Sequence, residues 1–109
     1  MTQNNDAKIS ALLKNMWERH LPTVRERLDI LEHAASAAAS GKLTETLRRE
    51  ALEIAHKLSG SLGMFGYHHG TEIAREIEQI LNAPTADFAS RLMLLTTELR
   101  RTLLDRSLR

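Results

Sequence analysis

Cysteine is absent from this 109-residue chain, so disulfides and thiolate metal sites are excluded, and a reducing compartment suits it. Neither sign of charge dominates. Fifteen Lys and Arg against fourteen Asp and Glu leave a net +1, too weak a field to argue for nucleic acid or an anionic membrane surface. No apolar run approaches the ~20 residues of a membrane span. The N-terminal M-T-Q-N-N-D-A-K has no secretion-signal core, and a cytoplasmic protein is expected. Aromatics are limited to Trp17, Phe65, Tyr67 and Phe88, and β-branched residues are never strung together, so strand signals are lacking. There is no Gly-rich phosphate loop followed by Lys-Ser/Thr, which removes nucleotide-driven self-phosphorylation from consideration.

What the chain has in quantity is leucine and alanine at helical spacing. Residues 1–6 read as a disordered tail that ends at Asp6, a helix cap. Ile9, Leu12, Leu13, Met16 and Trp17 then form one stripe, which Pro22 interrupts by removing a backbone donor. Val24, Leu28, Leu31, Ala35 and Ala38 continue a stripe as far as Ser40, with Gly41 a natural stop. A helix opening near Thr44 runs to Gly66. Tyr67-His68-His69-Gly70 reads as a turn before a helix whose inward face is Ile73, Ile77, Ile80 and Leu81. Asn82-Ala83-Pro84-Thr85 breaks that helix, and a last one carries Phe88, Leu92, Leu95, Leu99 and Leu103. Its end is crowded by Arg100, Arg101, Arg106 and Arg109, cations that suit a helix C-terminus. Short links between amphipathic helices imply an all-α fold over residues 7–109, an up-down antiparallel four-helix bundle with a short additional N-terminal helix.

His56 stands out against this pattern. On a helix of about 100° per residue, Leu47, Ala51, Ile54, Leu58 and Phe65 share a stripe, and His56 lies about 180° from it. Gly60 and Gly63 fall within roughly 40° of His56 on the same face. Each glycine costs about 1 kcal/mol in a helix interior relative to alanine. Their placement makes sense if the surface around an outward imidazole is cleared so that another protein can reach the ring. Neutral imidazole, with an ordinary pKa of about 6.5, is a good nucleophile near neutral pH. Phosphoryl transfer asks mainly for positioning and charge neutralisation.

The segment A-H-K-L-S-G-S-L-G-M-F-G resembles the histidine-containing phosphotransfer (HPt) domain, especially cyanobacterial examples. His56, Leu58, Gly60, Gly63 and Gly66 match the family pattern, and the resemblance extends over about residues 7–105. It implies a phosphocarrier, not an enzyme, that accepts a phosphoryl group on His56 and exchanges it with receiver-domain aspartates of response regulators, or receives it by way of a histidine kinase. It also implies that no cofactor belongs to this chain and that Mg²⁺ sits on the receiver. A monomer with no nucleic-acid or membrane partner is expected. The alternative is an HPt-like module that binds receivers or kinases without being phosphorylated. The family's usual lysine three places after the histidine is Ser59 in this sequence. Lys57 and Ser59 are expected to stand in for it, together with Gly60 and Gly63 around the phosphoryl group. Arg49 lies on the His56 face about 10 Å away by helical rise. Leu52, one turn before His56, and Glu53, which could orient the ring, complete the expected docking surface with Arg49. His68 and His69 lack a third ligand at suitable spacing, and no metal site is expected.

Overall fold

Leucine and alanine repeating every three or four residues leave each helix with one apolar stripe, and the stripes find cover only against one another. In a computed structural model, residues 2–105 are described, with side chains from Asn5 onward. Four helices run in chain order: α1 (Thr2–Ala39), α2 (Glu45–Ser61), α3 (His68–Asn82) and α4 (Phe88–Leu104). A 3₁₀ turn, Leu62–Phe65, lies between α2 and α3. Among the described residues there is no strand. Helix α1 packs beside α2 and α4, and α3 completes the square against the same two.

The core is the meeting of the stripes read from the sequence, except that Ile9 and Leu12 of the first stripe are exposed. Val24, Leu28 and Leu31 of α1 face Ala51 and Leu58 of α2, Ile77 and Leu81 of α3, and Leu92, Leu99 and Leu103 of α4, all essentially without solvent exposure. Thr96 is the one buried polar residue among those described. Its hydroxyl is satisfied by donating to the Met93 carbonyl at 3.0 Å. The link after α1 closes at Gly41, whose φ of +69° permits a left-handed cap. The Lys42 amide then bonds the Ala37 carbonyl at 2.8 Å, and the Gly41 amide that of Ala38 at 3.1 Å. Thr44 caps α2 by accepting from the Leu47 amide at 3.1 Å.

Three expectations need correcting. The short leading helix is not a separate element. Helix α1 passes through Pro22 without a break and sets the 56 Å long axis of the molecule. Pro22 is exposed, as is Glu18 one turn earlier, so water can serve the carbonyl that loses its partner. The polar segment expected as a tail belongs to this helix from Thr2 onward, while Met1 lies outside the described residues. Finally, α3 starts at His68, because the Tyr67 carbonyl accepts from the Thr71 amide at 2.9 Å and begins the helical ladder there. Gly70, expected in a turn, lies inside α3. A Cβ there would stand 3.3 Å from Leu103 and Leu62, so glycine lets α3 approach α4 closely.

Trp17 is the first residue of α1 to enter the core. It packs against Tyr67 and Phe65, with ring centroids at 4.7 and 5.1 Å, and covers one end of the bundle. Met16, its neighbour on the expected stripe, remains exposed. Arg100 does more than decorate a helix end. It bridges α4 to α1 through Glu32 at 2.7 Å and Asp29 at 2.6 Å. Arg106 and Arg109 lie outside the described residues. Among the described residues no helix is long and apolar enough to cross a membrane.

Candidate functional site

Because Ala51, Ile54, Ala55 and Leu58 turn α2 inward, the opposite face carries His56 out to solvent, its side chain 73% exposed. The ring is nevertheless fixed. Its Nδ1 lies 2.8 Å from Oε2 of Glu78, which α3 brings alongside. A carboxylate only accepts, so Nδ1 carries the proton, and in the neutral ring Nε2 then keeps its lone pair. Nε2 has no partner among the described residues. Glu78 is itself only 30% exposed, which limits how far it can swing away.

His56 and Glu78 stand on the two walls of a groove of about 790 Å³ between α2 and α3. Arg49, Leu52, Glu53, Ser59 and Gly60 complete the α2 wall, and Arg75, Gln79 and Asn82 the α3 wall. A Cβ built at Gly60 would meet no heavy atom within 4 Å, so the space beside the imidazole is open. Leu52 is partly buried against the core and also lines the groove, uniting the packing and surface roles its position allowed.

The expected roles of Gly63, Lys57 and Glu53 are corrected by the geometry. Helix α2 ends at Ser61, so Gly63 belongs to the 3₁₀ turn and leaves the His56 face. Its Cβ position lies 3.7 Å from Thr71 Oγ1, and it does not line the groove. Lys57 pairs with Glu53 at 3.2 Å and lines a different depression, between α1 and α2, with Met16 and Phe65. The ring is therefore oriented by Glu78 and not by Glu53. Ser59 donates to the His56 carbonyl at 2.8 Å and stands 3.5 Å from Glu78 Oε1, so its hydroxyl is engaged with its own helix. Arg49 lines the groove but bonds Glu45 at 3.1 Å. Hydrogen bonding from Arg48 holds the Glu45 carboxyl down to about 2, with Arg49 contributing further, so that anion persists across the neutral range. Sequence reasoning missed Glu78 and Arg75. Their spacing of three residues on the polar side of α3 was visible, but only packing shows that this side faces His56.

His68 and His69 do not converge on one ion. His69 instead bonds Glu98 of α4 at 2.8 Å, and among the described residues no group of three His, Asp or Glu is arranged for a metal.

A four-helix bundle presenting one histidine from the middle of a glycine-bearing helix is the architecture of a histidine phosphotransfer domain. Residues 15–106 match the Hpt domain family model, and the chain belongs to that family. Residues 7–14 fall outside the match and belong to the N-terminal part of α1. Protein RcaC of Microchaete diplosiphon is 34% identical over 68 residues, 62% of this chain and 10% of that protein, in keeping with the cyanobacterial resemblance. The chain thus spans about a tenth of that relative's length. No solved structure matches the chain. Membership in the family gives the chain a histidine phosphotransfer role in general terms.

Proposed function

We propose that this protein carries a phosphoryl group on Nε2 of His56 and exchanges it with the aspartate of a response-regulator receiver domain. The reading rests on one observation above all: an exposed imidazole held through Nδ1 by Glu78, with Nε2 left unpartnered beside the open space at Gly60. In transfer from an aspartyl phosphate, the Nε2 lone pair attacks phosphorus and the N–P bond forms. The aspartyl O–P bond breaks, and the aspartate leaves as a carboxylate with the electron pair. The proton stays on Nδ1, and the positive charge that develops on the ring is offset by the Glu78 carboxylate. No proton has to move, so no general base is required of this chain. Return transfer reverses these steps.

The receiver supplies the Mg²⁺ and the carboxylates that hold it. This chain brings no cofactor of its own and catalyses nothing alone, and a histidine kinase is the alternative source of phosphate. Leu52 gives the docking surface its apolar element, with Arg49 and Glu53 on its polar rim. A cytoplasmic monomer without nucleic-acid or membrane partners fits the near-neutral charge.

Incubation with a phosphorylated receiver tests the proposal. Wild-type protein should acquire an acid-labile, base-stable label that His56→Gln lacks. Absence of label on wild type, with receiver binding intact, would establish the non-phosphorylated interaction module instead.

A further inference from the structure

A phosphoryl group near neutral pH carries close to two negative charges, and the site that holds it gains from a facing cation. Four cationic side chains stand near the groove, and three are committed elsewhere. Arg48 bonds Glu45 and the Leu81 carbonyl, Arg49 bonds Glu45, and Lys57 bonds Glu53 and lines a different depression. Arg75 differs. It lines the groove with His56, is exposed, and makes no ion pair or hydrogen bond among the described residues.

The packing register fixes where Arg75 sits. His56 meets Glu78, and seven residues further along the chain, in the 3₁₀ turn that follows α2, Gly63 meets Thr71, so α2 and α3 run antiparallel past each other. That register brings Arg75 level with Ser59, one turn from His56, or about 4.5 Å along the axis. Ser59 has its hydroxyl engaged and offers no charge, while the position of a Gly60 side chain beside it is open. We infer that Arg75 is the phosphoryl-binding cation of this protein, reaching across the groove from α3 into the space over Gly60. The inference rests on the phosphocarrier reading, and adds to it that the neutralising charge comes from the helix facing His56. Arginine suits the task, because its planar fork can give two parallel hydrogen bonds to phosphoryl oxygens.

The test labels wild-type and variant proteins with phosphoramidate, a small-molecule donor, and follows the phosphohistidine by ³¹P NMR across a pH titration. Loss of a facing cation disfavours the dianion. Arg75→Ala should therefore raise the pKa of the last phosphoryl ionisation by about one unit, a tenfold change in that equilibrium. Arg49, Glu53 and Glu78 also face the group, but they are common to both proteins, so the difference belongs to Arg75. Arg75→Lys should keep most of the wild-type value, and Ser59→Lys, placed level with position 75, should restore it in the Arg75→Ala background. Lys42→Ala, a matched charge loss at the α1–α2 link, should change nothing. A labelled Arg75→Ala protein that titrates like wild type would overturn the role of Arg75 and leave the phosphocarrier reading standing. Failure of wild-type His56 to take label from phosphoramidate and from phosphorylated receivers alike would overturn both.

Discussion

Nδ1 of His56 lies 2.8 Å from Oε2 of Glu78, a residue 22 positions further along the chain and on a different helix. This one contact fixes the tautomer, leaves Nε2 as the nucleophile and sets an anion against the charge the ring acquires. Hydrogen bonds to charged groups are worth about 1.5–3 kcal/mol, or roughly ten- to a hundredfold in rate if the interaction strengthens as the ring becomes charged. Glu78→Ala should slow phosphotransfer from a phosphorylated receiver by that order. Glu78→Gln, which keeps an acceptor but not the charge, should fall between. Single-turnover labelling gives the rates, and ¹⁵N shifts of the imidazole should show the loss of tautomer preference in Glu78→Ala.

Gly60 offers a separation of stability from function. Its backbone is helical and a Cβ there meets nothing, so Gly60→Ala should stabilise the fold by about 0.5–1 kcal/mol, measured by urea denaturation. A long side chain at the same place would fill the approach to His56. Gly60→Gln should retain wild-type stability or better while transfer from a receiver falls at least about tenfold, a loss of about 1.4 kcal/mol in transition-state stabilisation.

His20 makes the fold sensitive to acid. Partial burial lowers its pKa from the ordinary 6.5, and the Arg27 charge lowers it further. The unfolded chain therefore holds this proton more tightly than the folded one, and stability rises with pH in the interval between the two values. The contribution is fully present above about pH 6.5 and is lost as the pH falls through the lower folded value. His20 stacks on Phe65 with centroids 6.1 Å apart, so His20→Phe preserves the ring contact without the titration. The drop in urea midpoint between pH 7 and pH 5 should be smaller in His20→Phe than in wild type.

Arg100 ties the C-terminal helix to the first helix through Glu32 and Asp29. Its side chain is 32% exposed, so the paired network is worth more than a fully solvated bridge but remains modest. Arg100→Ala should cost about 1 kcal/mol in chemical denaturation, with little change in His56 labelling. Loss of labelling in a folded Arg100→Ala protein would show that the α1–α4 contact reaches the site.

Periodicity in the sequence was enough to determine the core stripes from Trp17 onward and the outward direction of His56, though not that Ile9, Leu12 and Met16 stay exposed. These are local properties, because a 3.6-residue repeat fixes which side chains share a face without reference to any neighbour. The breaks at Gly41 and Pro84 were legible for the same reason. Continuity through Pro22 was not, since whether an exposed proline ends a helix depends on what serves the carbonyl it abandons. Nor could the end of α2 at Ser61 be read, because it is the 3₁₀ turn and its packing under α3 that take Gly63 away from His56. The surroundings of His56 were decided by tertiary structure alone. Glu78 and Arg75 are ordinary polar residues of an amphipathic helix until the antiparallel register of α2 and α3 places them across the groove. Lys57, adjacent to His56 in sequence, is turned by the same helical geometry onto another face. A helix dictates which of its own residues stand together, but only the packing of two helices dictates what stands opposite.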